Sequence, residues 1–113
     1  MAVADVPLNI FRTRAVELTT QEQTIYSGPS DYTGIILGAQ VSNISDEPAT
    51  ITFTLRKNDI DYVMLNAFTV PANDAAEATT GKLVVEQGSV IKAFASDNNR
   101  LNLVLSLLET SNE

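Results

Sequence analysis

The chain has 113 residues, enough for one domain with a modest core, and its formal net charge is −7. It contains no cysteine and no histidine, which excludes disulfides, thiolate metal sites and the commonest general base. Its seven basic residues are mostly scattered. A nucleic acid or an anionic membrane needs clustered positive charge, so we expect neither as a partner.

The first eight residues differ from the rest of the chain. They are apolar but follow neither a strand nor a helix period, and we predict an N-terminal arm over 1–8 followed by one domain over 9–113. A short apolar segment does not offset the entropy of ordering it alone. We therefore expect the arm to contact another chain, through Val3, Val6, Pro7 and Leu8.

Two short strands are predicted next, over 9–19 and 22–26. Arg12 and Arg14 lie in the first of them, on the face shared with Ile10, Val16 and Leu18. They are the main local basic feature of an acidic chain. Two roles are open for them: a salt bridge within the domain, or an anchor that docks the arm on an acidic neighbour.

Alternation with period two dominates the remaining sequence and predicts half-buried strands. Turn residues separate these strands at 43–49, 57–59, 71–74 and 97–99. A short segment over 75–79 is either a weak strand or a brief helix. The side chains expected between the sheets are Ile35, Leu37, Val41, Ile51, Phe53, Leu55, Ile91, Leu103 and Leu105.

Two further segments have distinctive patterns. Residues 62–70 are apolar on both faces, which predicts a strand covered on one face by another subunit. Strands over 83–86 and 90–96 are joined by Gln87 and Gly88, a tight turn in which glycine takes positive φ. Gly28, Gly34 and Gly81 are likewise interpreted as turn glycines.

Seven to nine short strands at intervals of about ten residues predict an all-β fold. The expected architecture is an antiparallel two-sheet sandwich, jelly-roll-like, of about eight strands.

Chemistry-bearing patterns are weak. The carboxylate pairs Asp46/Glu47, Asp59/Asp61 and Asp74/Glu77 fall in or beside predicted turns, where acidic groups meet water, and we expect no catalysis, metal or cofactor. Asn43-Ile44-Ser45 matches a glycosylation acceptor that we interpret as a turn. Tyr26 and Tyr32 flank a loop, as sugar-stacking aromatics can, although packing at a strand end is the simpler interpretation.

Several segments together resemble small structural proteins of tailed-phage virions, especially those of phages that infect cyanobacteria. The resemblance covers about residues 23–109. Its segments are Thr24–Pro29, Thr33–Asn43, Phe68–Pro71, the Gly81–Ile91 hairpin and Leu103–Glu109. The loop Ser27–Asp31 departs from the proline-alanine-glycine that is commoner in the group.

The resemblance implies a non-enzymatic virion component assembled in the host cytoplasm. We expect a capsid decoration (cement) protein, with a neck, tail or baseplate component as the first alternative and a carbohydrate- or receptor-binding module as the second. The expected partners are other copies of the chain, with a trimer as the first guess, and the major capsid protein or another virion protein.

Overall fold

The computed structural model describes residues 9–112. Within this range the chain forms nine strands and no helix. In chain order the strands are β1 (Asn9–Glu17), β2 (Gln23–Ser27), β3 (Tyr32–Asn43), β4 (Ala49–Lys57), β5 (Ile60–Val70), β6 (Ala75–Glu77), β7 (Leu83–Val85), β8 (Val90–Ala95) and β9 (Leu101–Ser111).

The strands form two antiparallel sheets. Sheet A has the order β1-β9-β3-β6, with β7 also paired to β3, and sheet B has the order β2-β8-β4-β5. The connections cross between the sheets after every strand except β4 and β6. The predicted antiparallel two-sheet sandwich is confirmed, and β6 and β7 share one edge of sheet A as two short strands.

The core lies between the sheets because alternate side chains of each strand point inward. In β9 the leucines at 101, 103, 105 and 107 are all buried, which confirms the strand period there. Phe53 in β4 is the largest fully buried side chain. It lies opposite Ala93 of β8, so a large and a small residue share one level of the core.

The prediction for β3 is wrong in its first half. Ile36 is buried, whereas Ile35 is only half-buried and Leu37 is exposed. The reason is a bulge between Ile36 and Gly38 in the pairing with β9. One extra residue reverses the alternation, so that Val41 points inward although it lies an even number of residues from Ile35.

The β7–β8 turn also differs from a hairpin. Gly88 has a φ of 87° and occupies the turn as predicted. The strands on either side do not pair with each other, because β7 joins β3 in sheet A and β8 joins β2 and β4 in sheet B. The turn therefore carries the chain from one sheet to the other.

The β5 strand is an edge of sheet B and pairs only with β4. Its pairing shifts twice, between positions Ile51 and Thr54 of β4, and Ala67 has a φ of 51°. A non-glycine residue in this left-handed region marks an irregular strand. The two ends of β5, Ile60–Val63 and Phe68–Val70, therefore pair with β4 in regular register, and the irregular part lies between them.

Candidate functional site: two interaction surfaces

A partly buried ionic network lies where the edge strands β1 and β2 meet. The carboxylate of Glu109 in β9 accepts hydrogen bonds from Nε of Arg12 at 2.8 Å and from the hydroxyl of Tyr26 at 2.7 Å. The side chain of Glu109 is 9% exposed, and that of Arg12 is 53% exposed. Of the two roles left open for Arg12, the structure therefore shows the salt bridge within the domain, because its guanidinium pairs with a carboxylate of its own chain.

The network shifts the pKa values of its members. Burial raises the pKa of Tyr26 far above its ordinary value, and its hydrogen bond to Glu109 adds to the shift. Burial also acts to raise the pKa of Glu109, but the hydrogen bonds and positive charge around it outweigh burial and lower the pKa. The protein therefore holds Glu109 as a carboxylate and Tyr26 as a neutral phenol.

Gly34 in β3 lets this network form. A Cβ atom at this position would lie 2.5 Å from the Tyr26 hydroxyl and less than 3 Å from two ring carbons. The interpretation of Gly34 as a turn glycine is therefore wrong, since it lies inside a strand and leaves room for an aromatic ring. Tyr26 reaches this position because a bulge in β2 turns both Ile25 and Tyr26 inward.

We expect Gly34→Ala to lower the free energy of unfolding by about 1–2 kcal/mol, because Tyr26 must move away from Glu109. Gly81→Ala is the matched control, since a Cβ there meets nothing within 4 Å. Denaturant unfolding of both variants measures the difference. Equal stabilities for the two variants would contradict the close packing of Tyr26 on Gly34.

Arg14 lies two residues further along β1 and is exposed. Its Nε donates a hydrogen bond to the backbone oxygen of Ile25 at 3.3 Å. The other predicted contact residues, Val3, Val6, Pro7 and Leu8, lie outside the described residues. The strand that continues from them begins at Asn9.

The outer face of sheet A is the first candidate interaction surface. Along β3 and β9, the two central long strands, no outward side chain is ionisable. A row of apolar residues crosses this face, because Phe11 pairs with Leu108, Leu108 with Ile35, and Ile35 with Val84. Phe11 is 75% and Val84 53% exposed. We call Phe11, Ile35, Val84 and Leu108 the apolar row.

The outer face of sheet B has the opposite character. Lys92 of β8 contacts Glu22 and Asp61 at 3.2 Å, and Asp61 also pairs with Arg56 at 2.9 Å. These hydrogen bonds lower the pKa of Asp61. The charges on this face therefore pair within the chain, whereas the uncharged outward side chains of β3 and β9 cost far less to desolvate.

The second candidate surface lies on the edge strand β5. Exposed large apolar side chains concentrate there, and within residues 9–112 the chain does not cover them. We define the β5 surface as Ile60, Tyr62, Val63, Met64 and Phe68, which are between 40% and 53% exposed. Tyr62 and Val63 are adjacent, so the exposed apolar groups lie on both faces of the strand.

The remaining sequence candidates have structural roles or lie in solvent. The Asn43 side chain is buried, and its nitrogen donates to the backbone oxygens of Glu47 and Val70, which ties the β3–β4 turn to the end of β5. That nitrogen is not available to a glycan. Asp61 is committed to its ion pairs, and the side chain of Asp59 is almost fully exposed.

Tyr26 is buried and forms no part of an aromatic platform for sugars. Its packing at a strand end agrees with the simpler interpretation of the sequence. Sequence reasoning missed the contact with Glu109, which lies 83 positions away along the chain. Glu109 follows the leucines of β9 at the same period of two, so the sequence pattern places a carboxylate on the inward face, and this is the signal that could have pointed to the contact.

Among residues 9–112, the molecule has no helical segment with the length and apolar character needed to cross a membrane.

Comparison with known proteins gives similarity in fold without similarity in sequence. No protein-family model matches the chain, and no curated protein matches it. Among solved structures, a protein from the disulfide-linked pili of Bacillus endospore appendages aligns with a TM-score of 0.56 at 10% identity, over 93% of this chain and 88% of that one. This chain has no cysteine.

Two further structures align over nearly the whole length. A protein from the acid-stable capsid of Helicobacter pylori bacteriophage KHP30 gives a TM-score of 0.54 at 10% identity, covering 95% of this chain and 90% of that one. The nucleoplasmin-like N-terminal domain of Drosophila FKBP39 gives 0.51 at 11% identity, covering 94% and 92%. At these identities the likenesses show a shared sandwich fold.

Proposed function

We propose that the chain is a non-enzymatic structural protein of a phage particle. The observation that carries the proposal is the uncharged outer face of the central strands β3 and β9, with the apolar row that crosses it. Its outward side chains are neutral hydroxyls, amides and hydrocarbons, which another protein surface can bury at low cost. The likeness in fold to a phage capsid protein supports the same proposal.

Within this class we propose a capsid decoration (cement) protein that binds the outside of the shell. Such a role requires little beyond buried area at the joints between capsid subunits. A standard interface buries about 800 Å² on each partner, and one face of a small sandwich is of that order. The alternative location is the neck, tail or baseplate, because the same face could form an interface between subunits there equally well.

We also propose that the chain forms a homo-oligomer with closed symmetry, a trimer being the first expectation. The β5 surface supports this part of the proposal, because exposed apolar residues on an edge strand otherwise favour uncontrolled association. We propose that Arg14, on the exposed β1 edge, contacts an acidic group of a partner protein. Arg12 is less available for this role because it is paired with Glu109.

The proposed role of the sheet A face has a direct test. Phe11→Ser combined with Val84→Ser should cost about 1 kcal/mol or less of stability, since both side chains are largely exposed. Re-binding to particles stripped of the protein should fall at least tenfold, because the centre of the contact is lost. Ile44→Ser, at an exposed apolar residue in the β3–β4 turn, is the control and should bind normally. Normal binding by the double variant would contradict the proposal.

A further inference from the structure

The position of the β5 surface relative to Asn9 limits what can cover it. Asn9 and Ile60 lie at the same end of the sandwich, because β1, β3 and β5 all run in the same sense. The strand β1 is one edge of sheet A and β5 is the diagonally opposite edge of sheet B. A segment that continues β1 towards the N-terminus therefore begins across the molecule from its own β5.

Residues 1–8 are too few to make that crossing and still cover β5. Three strand spacings and one sheet separation give about 17 Å from β1 to β5, and the strand from Ile60 to Phe68 adds about 20 Å. Eight extended residues reach at most about 29 Å. On a neighbouring molecule the β5 surface can lie directly beside Asn9, so the whole segment is available to contact it.

The composition of residues 1–8 fits this surface. Val3, Val6 and Leu8 are apolar and Asp5 is the one side-chain charge in the segment. The β5 surface presents five large apolar side chains, of which two are aromatic. Pro7 lacks an N–H group, which suits a segment at the outer edge of a sheet, where that group would have no strand to pair with.

We propose that residues 1–8 of one copy lie along β5 of the next copy and cover Tyr62, Val63 and Phe68. The contact joins two different surfaces, so repeated contacts of this kind close into a ring when the rotation permits. This inference rests on the proposed self-association and names the surfaces that produce it. The outer face of sheet A stays free for a different partner.

The proposal is tested by mixing two full-length variants that lack opposite halves of the contact. Val3→Asp with Val6→Asp removes the apolar segment, and Tyr62→Glu with Phe68→Glu removes the β5 surface. Each variant alone should sediment as a monomer under conditions in which the unaltered chain is oligomeric. The mixture should form a 1:1 heterodimer, because each variant keeps the half that the other lacks. Thermal melting confirms that both variants are folded.

Three results would overturn the inference. The segment variant could assemble as the unaltered chain does, which would leave self-association intact and assign it to a β5–β5 contact or another surface. The two variants could both be monomers and remain so when mixed. The unaltered chain could be monomeric at every concentration, which would overturn the proposed self-association as well.

Cross-linking gives a second measurement on a chain that has no native cysteine. A Val3→Cys protein mixed with a Phe68→Cys protein should give a cross-linked dimer on treatment with a short bismaleimide. Val3→Cys mixed with Ile44→Cys is the control, because Ile44 is at least as exposed as Phe68 but lies in the β3–β4 turn. Equal yields from the two mixtures would place the segment elsewhere.

Discussion

Phe53→Ala is expected to lower the free energy of unfolding by about 3–5 kcal/mol, the cost of deleting a fully buried aromatic side chain. Phe53 has no exposed surface and lies in β4, which is paired on both sides. The paired neighbours hold the backbone, so the cavity collapses only in part. A small domain has about 5–15 kcal/mol of stability in total, and this loss is a large share of it.

The matched control is Phe11→Ala, the same chemical change at a side chain that is 75% exposed. It should cost about 1 kcal/mol or less. Thermal melting at one fixed protein concentration compares the two variants, and Phe53→Ala should melt about 10 °C or more below the unaltered chain. A shift of a degree or less would show that Phe53 does not fill the core.

Glu109→Gln is expected to cost about 1.5–3 kcal/mol at neutral pH, because charged hydrogen bonds to Arg12 and Tyr26 are lost or weakened. The cost should depend on pH. Folding lowers the pKa of Glu109, so its carboxylate stabilises the fold above its ordinary pKa of 4.5, and this stabilisation is lost as the pH falls towards the folded value. The protonated acid then resembles glutamine, and the two proteins should converge in stability.

Denaturant unfolding at neutral pH and at successive acid values measures this convergence. Glu86→Gln is the control, because Glu86 pairs with Lys57 at the exposed end of the sandwich and such pairs contribute little. A gap between Glu109→Gln and the unaltered chain that stays constant from neutral to acid pH would contradict the depressed pKa of Glu109.

Fold class was predictable because the period-two pattern and the turn residues act locally. The leucines of β9 and the alternation in β4 specify which residues point inward whatever the partner strand is. Bulges are set instead by pairing between distant strands. The register shift at Gly38 in β3 therefore places Ile35 and Leu37 on the outer face instead of the predicted inner one. The shift in β2 turns Tyr26 inward. The local sequence carries no signal for either shift.

The candidate surfaces were predictable only in part. The apolar pattern over 62–70 indicated a strand with both faces apolar, and the structure shows which side chains stay exposed. The apolar row of sheet A joins residues from four strands, so its continuity depends on register. Arg12 was one of two equivalent arginines in the sequence, and the position of Glu109 across the sheet distinguishes them.

The central claim, a structural component of a phage particle, is tested most directly on purified particles of the phage whose genome encodes the chain. Quantitative mass spectrometry should find the chain at a fixed number of copies per particle, and immunogold labelling should decorate the outside of the shell. Labelling of the neck, tail or baseplate would assign the chain to that part of the particle instead of the shell. A chain that is absent from the particles and remains in the cleared lysate would contradict the account.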